Sequence, residues 1–201
     1  MAWSDVQIAN LAISHLGSGK QILSFDEKSN EARACKQYYE LIRDSTLRGF
    51  PWPFATKIEV LNLIEENPSG EWRYSYQYPV DALYARRILS GFRQDNRESR
   101  IPFKIFNSAT GKRLYTDKQD AELEYTLRID SASQFESDFV MAFSLRLGFY
   151  IAPQIVGSNA PKVRASLAEL YKIEIGNAMS FAANEEALDL DIDSVFMRIR
   201  G

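Results

Sequence analysis

One cysteine and one histidine are too few for several kinds of chemistry. Cys35 alone cannot close an internal disulfide, and beside Ala32 and Tyr39 in a helical pattern it reads as a small buried hydrophobe, with no sequence neighbour that would lower its pKa. His15 alone cannot supply the cluster a zinc centre needs, and its place two residues before Gly17 reads as structural, at a helix end. No serine or cysteine lies in a recognisable nucleophile motif. Excess positive charge is missing too. The net charge is −3 and the pI about 5.4, which argues against holding nucleic acid by phosphate neutralisation and is compatible with a surface that DNA slides past. Long apolar runs are also lacking: the longest, residues 139–156, is broken by Arg146 and Pro153, where a spanning helix needs roughly 18 uncharged residues. The opening Met1-Ala2-Trp3-Ser4-Asp5 has no basic region followed by an apolar core, so the expectation is a chain without a secretory signal, made and kept in a cytoplasm.

What is present is ordinary globular composition, 45% hydrophobic and 25% charged over 201 residues, enough for one sizeable core. Ser4 with Gln7 reads as a capping box, and Val6, Ala9, Ile13 and Leu16 follow helical spacing until Gly17 stops them. A second helix is expected over residues 27–48, capped by Gly49. The run Phe50-Pro51-Trp52-Pro53-Phe54 then forbids continuation, and its rings are expected to plug the joint between helices and sheet.

Strand signals follow at residues 57–64, 84–89, 101–106, 112–115 and 121–129, with turns at 66–70 and 107–111. Between them Trp72, Tyr74, Tyr76 and Tyr78 share one face of a strand, opposite Arg73, Ser75 and Gln77. Short strands divided by polar turns predict an antiparallel sheet. Helical spacing returns after Ser133, which with Glu136 reads as a second capping box, and Pro153 is the expected end of that helix. Ser158 or Asn159 is expected to cap a last helix with Pro161 in its first turn and a stripe through Val163, Leu167, Leu170 and Tyr171 to Phe181. The fold class is therefore α+β, divided into an N-terminal helical pair (1–55), an antiparallel β insertion (56–131), a C-terminal helical pair (132–183) and an extended tail (184–201).

Three motif-like stretches fail on their own terms. Gly17-Ser18-Gly19-Lys20 lacks the leading glycine and the trailing Ser or Thr of a phosphate loop, since Ser14 and Gln21 stand there. Asp189-Leu190-Asp191-Ile192-Asp193 begins like a calcium loop, but Ser194 replaces its glycine and Arg200 its bidentate glutamate. The arginines at 93, 97 and 100, with Lys104, are interspersed with acids, which makes a solvated loop of what a DNA-binding module would need as a basic patch. No cofactor or metal site is expected. Glu65, Glu66, Glu122 and Glu124 leave an acid/base pair open, and the aromatic strand face leaves a sugar platform open beside its bland reading as core. A glycan hydrolase is thus the alternative function, and the expectation is no enzyme.

The tail carries the docking expectation. Val195, Phe196, Met197, Arg198, Ile199 and Arg200 alternate apolar with basic, and apolar side chains beyond the last helix are wasted in solvent, each contributing roughly 1.5 to 3 kcal/mol when buried.

Asn30-Glu31-Ala32-Arg33-Ala34-Cys35 with Tyr39 and Arg43-Asp44, the residues 50–55, residues 72–79 with Asp81 and Leu83, residues 135–149, and the closing Asp193-Ser194-Val195-Phe196 with Arg198 and Arg200-Gly201 resemble the head-to-tail adaptor family of tailed bacteriophages. These are the tail tubular, or gatekeeper, proteins of short-tailed phages, and the resemblance covers nearly the whole chain. It implies a helical bundle carrying a β-rich insertion, assembled as a homo-oligomeric ring, commonly of twelve copies. It further implies a virion protein of the neck that binds the portal protein, extends the DNA channel without binding DNA specifically, and meets the tail nozzle and often tail fibres. Assembly would occur in the host cytoplasm with no membrane involved, and the family supplies no catalytic residues. The resemblance places the tail's docking site on an adjacent subunit or on the portal. The acidic stretch 189–193 is not matched to the family pattern.

Overall fold

The computed structural model describes residues 2–92 and 99–185. Helix α1 (Asp5–Ser14) begins as expected: Ser4 Oγ accepts from Gln7 N at 3.2 Å, and Gln7 Oε1 accepts from Ser4 N at 2.9 Å. Gly17, at φ +72°, turns the chain away after it, a conformation a side chain would resist. The following loop is held by the Asn10 amide, which gives 2.9 Å to Ile22 O and takes 2.8 Å from Ile22 N.

Helix α2 (Asn30–Gly49) starts three residues later than the periodicity predicts, because Ser29 Oγ caps Ala32 N while Glu27 turns back to accept from Leu23 N. Gly49 is its last turn, and Phe50 leaves extended. The aromatic run does plug the joint: Trp52 is buried, donates Nε1–H to Thr46 O at 3.2 Å, and meets Phe139 edge-on with centroids 5.2 Å apart.

Among the described residues seven strands follow, all paired antiparallel, in two sheets rather than one. The first has the order β1 (Thr56–Val60), β7 (Glu122–Leu127), β4 (Ala82–Ile88); the second has β2 (Leu63–Glu66), β3 (Tyr74–Gln77), β6 (Gly111–Thr116), β5 (Phe103–Ser108). The expected single strand over 57–64 is split where the chain changes sheets: Leu61 N bonds to Ala121 O, and Asn62 O accepts from Gln77 N, both at 2.9 Å. Facing side chains including Tyr76, Ile88, Leu114, Leu123 and Tyr125 form the core between the sheets. Ser75, on the face opposite the aromatic stripe, is also fully buried and pairs with Tyr115 of β6.

Helix α3 (Ser137–Val156) and helix α4 (Ala160–Glu185) complete the described chain. The second capping box does not form: Ser133 sits in a 3-10 turn bonded to Ser131, and the stacking of Phe135 on Phe139 sets the entry of α3 instead. Pro153 does not end α3, since Ile155 and Val156 still pack on the core and outweigh one lost rung; Gly157, at φ +54°, makes the turn. Residues of all four helices share a second core. The stretch Ser137–Glu185 contains a window apolar enough by length and composition to cross a membrane, contrary to the sequence expectation, and 56% of that window is buried within the molecule.

Two polar devices join the cores. Arg86 of β4 donates to Thr126 Oγ1 at 2.8 Å and, at the end of α2, to the carbonyls of Arg48 at 3.0 Å and of the capping Phe50 at 2.8 Å. Buried Arg43 of α2 pairs with Asp44 at 2.9 Å and with Asp130, just past β7, at 3.0 Å.

Candidate functional site

The docking residues Val195, Phe196, Met197, Arg198, Ile199 and Arg200 lie outside the described residues, as does the acidic stretch 189–193. The described surface nearest to them in sequence is α4, which ends at Glu185. Its inner stripe is Leu167, Ala178 and Ala182, with Val163 and Tyr171 packed alongside. Leu170 and Phe181, expected on that stripe, are instead 48% and 58% exposed, and so is Ile173. Spacings of three and eight residues set Leu170, Ile173 and Phe181 along one flank of the helix, about a quarter turn from the buried stripe. Periodicity could not separate these faces because apolar residues occur on both.

Between α3 and α4, on the other side of the buried stripe from that flank, lies a groove of about 310 Å³ lined by Arg146, Phe149, Tyr150, Ala168, Tyr171 and Lys172. Arg146 lies over the Tyr171 ring at 5.7 Å, and Arg164 over Phe149 at 4.1 Å. Arg146 gives its hydrogen bonds to neutral partners, Ser45 Oγ at 2.9 Å and Thr46 Oγ1 at 3.2 Å. Lys172 pairs with exposed Glu169 at 2.9 Å. Along the sequence Arg146 stands out only as an interruption of an apolar run. Its signal was a cation three and four residues before Phe149 and Tyr150, on the same helical face.

The carboxylates singled out for hydrolysis do not converge. Glu124 is bound to Arg87 at 2.7 and 2.8 Å and lines a depression with Arg86, Arg100 and Phe103, whereas Glu122 lines another with Leu89, Phe92 and Lys118. Glu65 lies 3.6 Å from Arg113, and Glu66 is exposed on β2. A different pair does meet: the Tyr125 hydroxyl donates to Glu59 and Asp81, each at 2.9 Å, with Lys57 Nζ 2.8 Å from Glu59 and 3.2 Å from Asp81. Hydrogen bonds from Lys57 and then Tyr125 hold Glu59 below its usual range. Burial works to raise Asp81, but bonds from Tyr125 and Lys57 outweigh it and leave that carboxyl low as well. Two ionised carboxylates shared by one ammonium offer no proton to a leaving group.

Tyr76 and Tyr78 are buried between the sheets and Tyr74 packs beside them, so these three rings are core and not an open stacking platform, whereas Trp72 precedes β3 and lines a separate depression with Asn67, Gly70 and Asp117. Burial, followed by the charge of Glu31, pushes the Cys35 thiol up to about 12. His15 Nε2 lies 3.0 Å from Ser144 Oγ, and burial lowers its pKa. Lys20 pairs with Glu31 at 3.0 Å rather than facing a phosphate cradle. Lys104 lies over Phe106, while residues 93 and 97 are outside the described residues. Among the described residues no group of three or more His, Cys, Asp or Glu converges on a metal position.

No family model matches this sequence, and no curated protein matches it.

Proposed function

We propose that this chain is a structural virion protein, a head-to-tail adaptor that assembles as a ring between portal and tail nozzle and extends the DNA channel. The reading is carried by the ordered resemblance from Asn30-Glu31-Ala32 through residues 50–55 and 72–79 to the closing Arg200-Gly201. Exposed Leu170, Ile173 and Phe181 support it, because a lone subunit leaves that apolar area in water. In a closed ring each copy presents one face to the next, so such a stripe is covered in every subunit without open-ended growth. A net-negative wall would repel phosphate and let DNA pass.

The tail, through Phe196, Met197 and Ile199, is assigned to an adjacent subunit or the portal. Co-sedimentation with portal rings tests this, using the full chain and a deletion of residues 194–201. The expected result is retention of the full chain, and loss of retention in the deletion with thermal unfolding unchanged. A deletion that unfolds early but still binds would return the tail to its own core.

A further inference from the structure

The groove between α3 and α4 has a charge that its own surroundings leave uncompensated. Among the described residues no carboxylate forms an ion pair with Arg146 or Arg164, and Arg164 Nε is buried without a hydrogen-bond partner there. A half-desolvated guanidinium on an aromatic face attracts an anion more strongly than one in open water does.

The chain itself contains a matching segment. Residues 188–193 read Leu-Asp-Leu-Asp-Ile-Asp, so an extended backbone puts Leu188, Leu190 and Ile192 on one side and three carboxylates on the other. Lying edge-on in a groove, such a segment turns one side to rings and the other to cations. We propose that the α3–α4 groove receives residues 188–193 of a neighbouring copy, with Asp189, Asp191 and Asp193 on Arg146, Arg164 and Lys172.

A neighbour is favoured over the same chain by distance and by charge. Along α4, Lys172 lies roughly 20 Å and Arg164 roughly 32 Å before Glu185, whereas the four residues to Asp189 can span at most about 13 Å and the eight to Asp193 at most about 26 Å, short of Arg164. Folding back would also draw the acids along residues 173–185, where Glu174 and Glu185 are the only charges. This contact deepens the ring reading and rests on it for the presence of a second copy.

The test uses a fluorescein-labelled peptide of residues 186–194, titrated onto the full chain carrying Asp189→Asn, Asp191→Asn and Asp193→Asn so that its own segment does not compete. Saturable binding is expected, weakened at least about tenfold by Lys172→Glu, by Asn in place of the peptide's aspartates, or by 0.5 M salt. Lys172 is exposed, so its variant folds, which unchanged thermal unfolding verifies. A photo-cross-linker at position 190, with heavy- and light-labelled copies mixed, should join it to the groove of the other copy. No peptide binding by the folded protein, or cross-links only within one chain, overturns the proposal. Peptide capture without portal binding keeps this contact and removes the adaptor reading, and portal assembly by a protein blind to the peptide does the reverse.

Discussion

Replacing Arg86 with alanine should loosen the joint between the helical core and the sheets. The side chain donates to Thr126 Oγ1 and to the carbonyls of Arg48 and Phe50, and lies over Tyr84 at 4.8 Å. Burial lowers its pKa, yet an arginine stays charged, so these are charge-assisted bonds. Each such bond contributes about 1.5 to 3 kcal/mol when sheltered. Because the end of α2 borders solvent, water replaces part of what is lost, which brings the expected cost of Arg86→Ala to about 2 to 3 kcal/mol. Urea unfolding followed by tryptophan fluorescence in a Trp3→Phe, Trp72→Phe background, which leaves Trp52 at this joint as the reporter, should show a midpoint lower by about 1 M with an unchanged slope. Arg86→Lys should recover less than half, since an ammonium cannot span the three acceptors that the guanidinium fork reaches. Alanine within about 0.5 kcal/mol of wild type, or full recovery by lysine, would refute this account of the joint.

A Cβ at Gly148 would sit 3.2 Å from Ala12 O and 3.4 Å from Leu167 Cδ1, so Gly148→Val should cost about 1 to 3 kcal/mol in thermal or urea unfolding by prising α3 from α1. Cys35 should resist a thiol reagent at pH 8 in the native protein and react at once in denaturant; fast native labelling would contradict its burial. Glu59 and Asp81 are held ionised, so their folded pKa values lie below the reference values of 4.5 and 3.8. Their contribution is complete above those values and declines as pH falls through the lower folded ones. Glu59→Gln with Asp81→Asn should therefore cost about 1 kcal/mol or less at pH 7, these groups being partly exposed, and the gap to wild type should close in acid below the reference values. A gap that widens in acid would reverse the sign.

Local signals were legible where one short-range interaction decides the conformation. Ser4 with Gln7, Gly17 and the two prolines around Trp52 act within a few residues, and each does what its chemistry dictates. Ser133 with Glu136 has the same spacing as Ser4 with Gln7, yet the packing of Phe135 between Phe54 and Phe139 sets a different entry to α3. Pro153 stays inside α3 for the same reason, since local breaking loses to the burial of residues beyond it. The division into two sheets was invisible because residues 61 and 62 look like any strand residues, and only the distant partners Ala121 and Gln77 split them. For the candidate site, the α4 flank was merged with the buried stripe, and Arg146 entered only as a break in an apolar run. A groove is made by two helices and cannot be read along either one alone.

The central claim is that this chain works as many copies seated on a portal. Native mass measurement of the purified protein, alone and mixed with portal rings, addresses it directly. The account predicts a portal-bound complex containing several copies of the 23.0 kDa subunit in a fixed, closed number, twelve by the family resemblance. A protein that stays at 23.0 kDa in every mixture and never joins the portal would contradict it.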